Sequence, residues 1–179
     1  MRCTYLLCAV FLLCGTALSA SPSQQLLNPR VRCVDSEAKS LLASLVEESP
    51  TARQLVDQIE NSDLIVFVKM TEEVPRYTAN TRLLTAVTDA RLVLVSINPF
   101  GTTLDLMTLL GHELRHVAEI AEARDVRTAD DMRKMYRRIG WRASAPDGYE
   151  TVAARETGRQ VRQEILHGRP DYEALSTPR

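Results

Sequence analysis

The spacing of apolar residues changes period twice along this chain, and that change restricts the fold more than any single residue does. Ala38, Leu41, Leu42, Leu45 and Val46 recur at intervals of three and four, one face of a helix. Ser49-Pro50 then offers a capping hydroxyl followed by a residue whose locked φ suits the first helical position. A second helix is predicted from there to about Glu60, with Leu55, Val56 and Ile59 inward. After Asn61-Ser62-Asp63 the pattern becomes LIVFV, 64–68, a dense β-branched and aromatic run that reads as a strand. RLLTAV, 82–87, and RLVLVSI, 91–97, read as two more, a hairpin about the turn-like Thr88-Asp89-Ala90, while 70–80 reads as a loop. Helical spacing returns at Thr102, which stands three residues before Asp105 as a capping pair, and continues to about Ala123. Thr128 and Asp131 cap a helix ending near Ile139-Gly140, and Asp147-Gly-Tyr-Glu150 is expected to open a last helix reaching His167-Gly168. The expected fold is α+β: two helices, three antiparallel strands, then three helices.

Composition narrows the setting. Of the 179 residues 45% are hydrophobic and 25% charged, a balance that supports a folded domain and not a disordered tail. With a net charge of −1, the chain has no basic field to recruit nucleic acid. Residues 1–20 differ from the rest: Arg2, an apolar run from Tyr5 to about Leu18, then Ser19-Ala20 before SPSQQ. That is the layout of a signal peptide, and the run is short for a spanning helix, so export is expected and no stable membrane span is expected after cleavage. Residues 21–35 read as a loosely held arm, and 36–179 as one domain. Cleavage would remove Cys3, Cys8 and Cys14, leaving Cys33 without an internal partner and suited to an apolar filler.

GHELRHVAE, 111–119, holds two of the three histidines, four positions apart, with a glutamate between. On a helix, positions i and i+4 lie one above the other, so His112 and His116 can offer two imidazole nitrogens to one ion. Two neutral histidines hold Zn²⁺ without neutralising it, so the ion stays a Lewis acid able to activate a water. Glu113 lies beside the pair, where it can serve as the general base that takes that water's proton. The plain alternative is a solvent-facing helix of mixed charge. A catalytic zinc site needs a third protein ligand. Glu119 shares the histidines' face, but a straight helix makes it hard for all three to converge, and a hydrogen bond to a ligand histidine suits it better. His167 sits beside Gly168 and fits a helix end. Glu150 is expected to begin the last helix, on a face of small residues, Ala153, Ala154, Thr157 and Gly158, which would let it approach closely; it could instead be the third residue of a cap begun by Asp147.

HELRH, 112–116, and YETVAARETG, 149–158, together resemble the gluzincin metallopeptidases, closest to small secreted members built as a minimal catalytic domain. The resemblance implies a zincin-like α+β fold, a small antiparallel sheet on the HExxH helix, with zinc on His112, His116 and Glu150 and Glu113 as base. It implies a peptide or protein substrate, with an antiparallel strand, 91–97 or 82–87, pairing with it. Many gluzincins carry an aspartate shortly after the ligand glutamate; Val152, Ala153 and Ala154 offer none here. For the group that would stabilise an oxyanion, the candidates are Tyr149, Tyr136 and Arg155. Two other classes fit the same motif: a non-catalytic binding module on this fold, and a metal-dependent amidase acting on a non-peptide substrate.

Overall fold

The computed structural model describes residues 29–76, 78–143 and 148–168. The expected signal peptide, the arm at 21–28 and the cap expected at Asp147 lie outside these residues. Among the described residues, no helix is long and apolar enough to cross a membrane.

Where the cap chemistry is strong, helix ends fall on it. α1 (Ser36–Glu48) is capped by Asp35, and α2 (Pro50–Glu60) by Ser49 with the proline just inside. α3 (Thr103–Glu122) and α4 (Ala129–Ile139) each begin with a reciprocal capping box, Thr102 with Asp105 and Thr128 with Asp131. The last helix departs from expectation. α5 is Val152–His167, capped by Thr151, whose hydroxyl accepts from the Ala154 N–H. Glu150 therefore stands outside the helix, in extended backbone. A threonine placed to bond an N–H three residues on ends the helix there.

The sheet is mixed, which corrects the antiparallel arrangement expected. Its strands are β1 (Val31–Cys33), β2 (Leu64–Met70), β3 (Ala79–Val87) and β4 (Ala90–Ile97), in the spatial order β1-β2-β4-β3. The β3–β4 hairpin is antiparallel as expected, but β4 lies between β2 and β3 and runs parallel to β2, and β1 is also parallel to β2. Composition explains the order. β4 carries Val93, Val95 and Ile97, all fully buried, and needs neighbours on both sides. β3 carries Asn80, Thr81, Arg82 and Thr85 and tolerates the edge, where a bulge between Leu83 and Thr85 further breaks the regularity. β1 lies within the stretch taken as a loose arm. Three residues were too few to show a period, yet the Glu60 carboxylate accepts from the Arg30 and Val31 N–H groups, and Cys33 packs against the core.

α1, α2 and α3 pack on this sheet. Leu64, Val66 and Val68 of β2 join Val93, Val95 and Ile97 in one core with Leu41, Leu45, Leu55 and Ile59 of α1 and α2 and Met107, Leu110 and Leu114 of α3. α5 lies against α3 through Ala154, Gly158, Val161 and Ile165. The approach is close: a Cβ on Gly111 would lie 2.8 Å from Val161 Cγ2. We predict that Gly111→Ala forces α3 and α5 apart and destabilises the fold by about 1–3 kcal/mol, measured by urea denaturation.

Arg91, wholly buried at the start of β4, anchors the far end of α3. Its Nε and Nη2 donate to Asp63 at 2.8 and 2.7 Å, and Nη1 donates to the carbonyls of Ile120 and Ala123, each at 2.8 Å. A cation is thereby fixed on carbonyls left open at a helix C-terminus. The Arg91 hydrogen bonds hold the Asp63 carboxyl below its ordinary 3.8, against the opposing effect of burial. A depressed folded value means this stabilisation is complete above the unfolded pKa and is lost as pH falls through the folded one. We predict that Asp63→Ala costs about 1–3 kcal/mol near neutral pH, and that the gap between wild type and variant narrows as pH drops below about 4. Parallel denaturation curves with no such narrowing would refute it.

Candidate metal centre

One helix and one short strand make the site. His112 and His116 stand one turn apart on α3, their ring centroids 4.9 Å apart and the planes nearly perpendicular. Glu150 lies on β6 (Tyr149–Glu150), which pairs with β5 (Trp141–Arg142), Trp141 opposite Glu150. The Glu150 Oε1 comes within 3.6 Å of His112 Nε2 and 3.9 Å of His116 Nε2. Among the described residues, His112, His116 and Glu150 form a group whose ligand atoms all lie within 4.8 Å of one another and could hold a metal ion.

The group fits a small divalent cation. Tetrahedral coordination with bonds of about 2.0–2.2 Å places neighbouring ligand atoms roughly 3.3–3.6 Å apart, against 3.6 and 3.9 Å from Glu150 to the two rings and at most 4.8 Å within the group. Both rings also have partners outside the trio. His116 Nδ1 lies 3.0 Å from Glu119 Oε2, and His112 has the α5 backbone at Ala154 as a hydrogen-bond partner. With Nδ1 of His116 bonded to the Glu119 carboxylate, its Nε2 keeps a lone pair for the point facing Glu150. The two rings differ electrostatically. Burial, then the neighbouring His116, lowers the pKa of His112. Burial works against the charge on His116 too, but the hydrogen bond to Glu119 and the carboxylates of Glu113, Glu119 and Glu150 outweigh it, so its pKa is raised.

Glu119 is thus hydrogen-bonded to His116 and is not in the converging trio. His167 is the last residue of α5 and is not in the trio either. Glu113 is buried, and burial raises its pKa, partly offset by His116 and by a hydrogen bond from Thr81. The Thr81 hydroxyl donates to Glu113 Oε2 at 2.6 Å. Thr81 lies on β3, the outermost strand on that side, so a sheet edge passes beside the candidate base. Of the two strands considered for pairing with substrate, β4 is bonded on both sides and only β3 has an edge to offer. Tyr136 is buried; its hydroxyl donates to the His116 carbonyl at 3.3 Å and its ring stacks on Tyr149. The Arg155 guanidinium lies over the Trp141 ring, 5.9 Å from its centre.

Two contributors were not found from the sequence. Thr81 left no signal, because a single threonine on a polar edge strand has many uses. Thr151 did leave one, a hydroxyl three residues ahead of an apolar helical face, but Asp147 competed for the same role. A close backbone approach also places Glu150: a Cβ on Gly140 would strike the Glu150 carbonyl oxygen and lie 3.0 Å from Thr151 Cγ2. We predict that Gly140→Ala displaces Glu150 and weakens binding of a divalent metal ion at this group on the order of tenfold, measured by competition with a chromophoric chelator.

Comparison of the chain with protein-family models, with curated proteins and with solved structures finds no match.

Proposed function

We propose that this protein is an exported zinc-dependent metallopeptidase with a minimal zincin-like domain. One observation carries the reading: two imidazole Nε2 atoms and one carboxylate oxygen, from separate elements, point at a common position, with a buried glutamate on the adjoining helical residue. Two neutral nitrogens and one carboxylate suit Zn²⁺ and leave a fourth position open. Zinc, when bound, supplies Lewis acidity at the scissile carbonyl and lowers the pKa of water to about 7.

The remaining steps belong to the chain. His112, His116 and Glu150 hold the ion. Glu113 takes the proton of the attacking water and returns it to the departing amine nitrogen. Its burial raises its proton affinity, which suits a group that must both take and give a proton near neutral pH. Thr81 holds the carboxylate in place at Oε2. The β3 edge can align an extended peptide by strand addition, since its register brings Thr81 beside the base.

The test is metal analysis of the purified protein followed by a peptide-library cleavage assay, each with and without chelator. Stoichiometric zinc and chelator-sensitive cleavage are expected. Zinc with no peptide cleaved, but with turnover of non-peptide amides, would replace peptidase by amidase. Absence of zinc would end the proposal.

A further inference from the structure

We propose that Thr151 is a positioning residue that locks the two halves of the metal centre together. It does so by holding the carboxylate that orients His116 and the carboxylate of Glu150 at the same time. The inference rests on the metal-site reading above and deepens it.

Thr151 is buried, at 2% exposure, between α3 and the start of α5. Its hydroxyl has one proton to give. That oxygen accepts from the Ala154 N–H at 3.0 Å, capping α5, and lies 2.7 Å from Glu119 Oε1. A carboxylate oxygen only accepts, so the hydroxyl proton goes to Glu119. The other Glu119 oxygen then receives the Nδ1–H of His116 at 3.0 Å. This chain of donors sets the tautomer of His116 and leaves Nε2 bare toward Glu150. Meanwhile the Thr151 backbone N–H donates to Glu150 Oε1 at 2.8 Å, the same oxygen that faces both rings.

One residue therefore bonds to a carboxylate behind His116 and to the carboxylate in front of it. An ordinary helix cap needs neither of these contacts, only the bond from Ala154. Serine, asparagine and aspartate cap as well as threonine or better, yet only a hydroxyl both accepts from the helix and donates to Glu119 through one atom. The arrangement also supplies what the chain lacks elsewhere. No carboxylate follows Glu150 within the next three residues to orient a histidine from α5, and Glu119 does so from α3, tied back to α5 through Thr151.

Zinc affinity of the full chain, read by competition with a chromophoric chelator, tests this beside the Co²⁺ absorption spectrum of each variant. Thr151→Val, close in shape but without the hydroxyl, is expected to weaken Zn²⁺ about 10–100-fold and to alter the Co²⁺ bands. Thr151→Ser should stay within about threefold of wild type, since it keeps both cap and proton. Thr151→Asp keeps a good cap but its carboxylate has no proton for Glu119; it covers the case in which the valine variant does not fold, and should lose affinity at least as valine does. In a Glu119→Gln background, either change should cost less than about threefold more, because the two residues act through one contact. Wild-type affinity in Thr151→Val or Thr151→Asp would overturn the proposal. So would an equal loss in both backgrounds, the mark of a cap alone. Failure of the unmutated chain to bind zinc would remove the metal site itself, and is told apart because it needs no variant.

Discussion

Glu113→Gln should abolish peptide hydrolysis while the protein still binds a full equivalent of zinc. The carboxamide nearly matches the carboxylate in shape, and its oxygen can still accept from Thr81, so the local packing is kept. It cannot take a proton from water. Proton transfer by a placed side chain contributes about 10²–10⁴-fold to rate, and a fall in kcat of that size is expected. Metal content should not change, because Glu113 is outside the converging group of His112, His116 and Glu150. Steady-state cleavage of a peptide found in the library assay, beside metal analysis of the same sample, checks both halves. Activity retained in the glutamine variant would remove Glu113 as base; zinc lost with it would mean that the carboxylate belongs to the coordination sphere.

The second large effect is expected from Glu150→Ala and His116→Ala, each of which takes away a donor atom. Groups that only orient a ligand cost about 10–100-fold in metal affinity when removed, and loss of the ligand itself should exceed that. The consequence extends to stability. A ligand bound only to the folded state adds about 2.7 kcal/mol when its free concentration is a hundred times Kd. Zinc should therefore raise the melting temperature of the wild type, chelator should reverse the rise, and both alanine variants should melt at one temperature with or without zinc. A thermal shift in Glu150→Ala as large as in the wild type would exclude Glu150 from the site. The same comparison with Glu119→Ala separates donor from orienting group: its affinity should fall, but a zinc-dependent shift should remain at higher zinc.

The helical part of the fold was legible because its signals are local. Thr102 with Asp105, Thr128 with Asp131, and Ser49 with Pro50 each bond or pre-shape groups within one turn, and each starts a helix where expected. The HExxH spacing was equally local, since residues four apart on a helix share a face whatever surrounds them. Strand pairing was legible only within the hairpin. The residues of β2 do not state that β4 will lie beside them, because a dense apolar run satisfies a parallel or an antiparallel neighbour alike. β1 was missed because its three residues take their strand conformation from β2 and from the Glu60 carboxylate, both distant in sequence.

Glu150 shows the division most plainly. Its nomination came from small residues on a helix face and from a resemblance, and it was placed inside that helix. In the fold it stands one residue before the Thr151 cap, in an extended strand braced by Trp141 and by the close approach of Gly140. Pairs of residues within a turn of each other are bound by the backbone between them, so their geometry can be read along the chain. The two histidines belong to that kind. The meeting of α3 with β6, the proton that Thr151 gives Glu119, and the Thr81 hydroxyl beside Glu113 join residues 32 or more positions apart. No backbone constraint links such pairs; burial of the surfaces that carry them brings them together, and that exists only once the chain has packed.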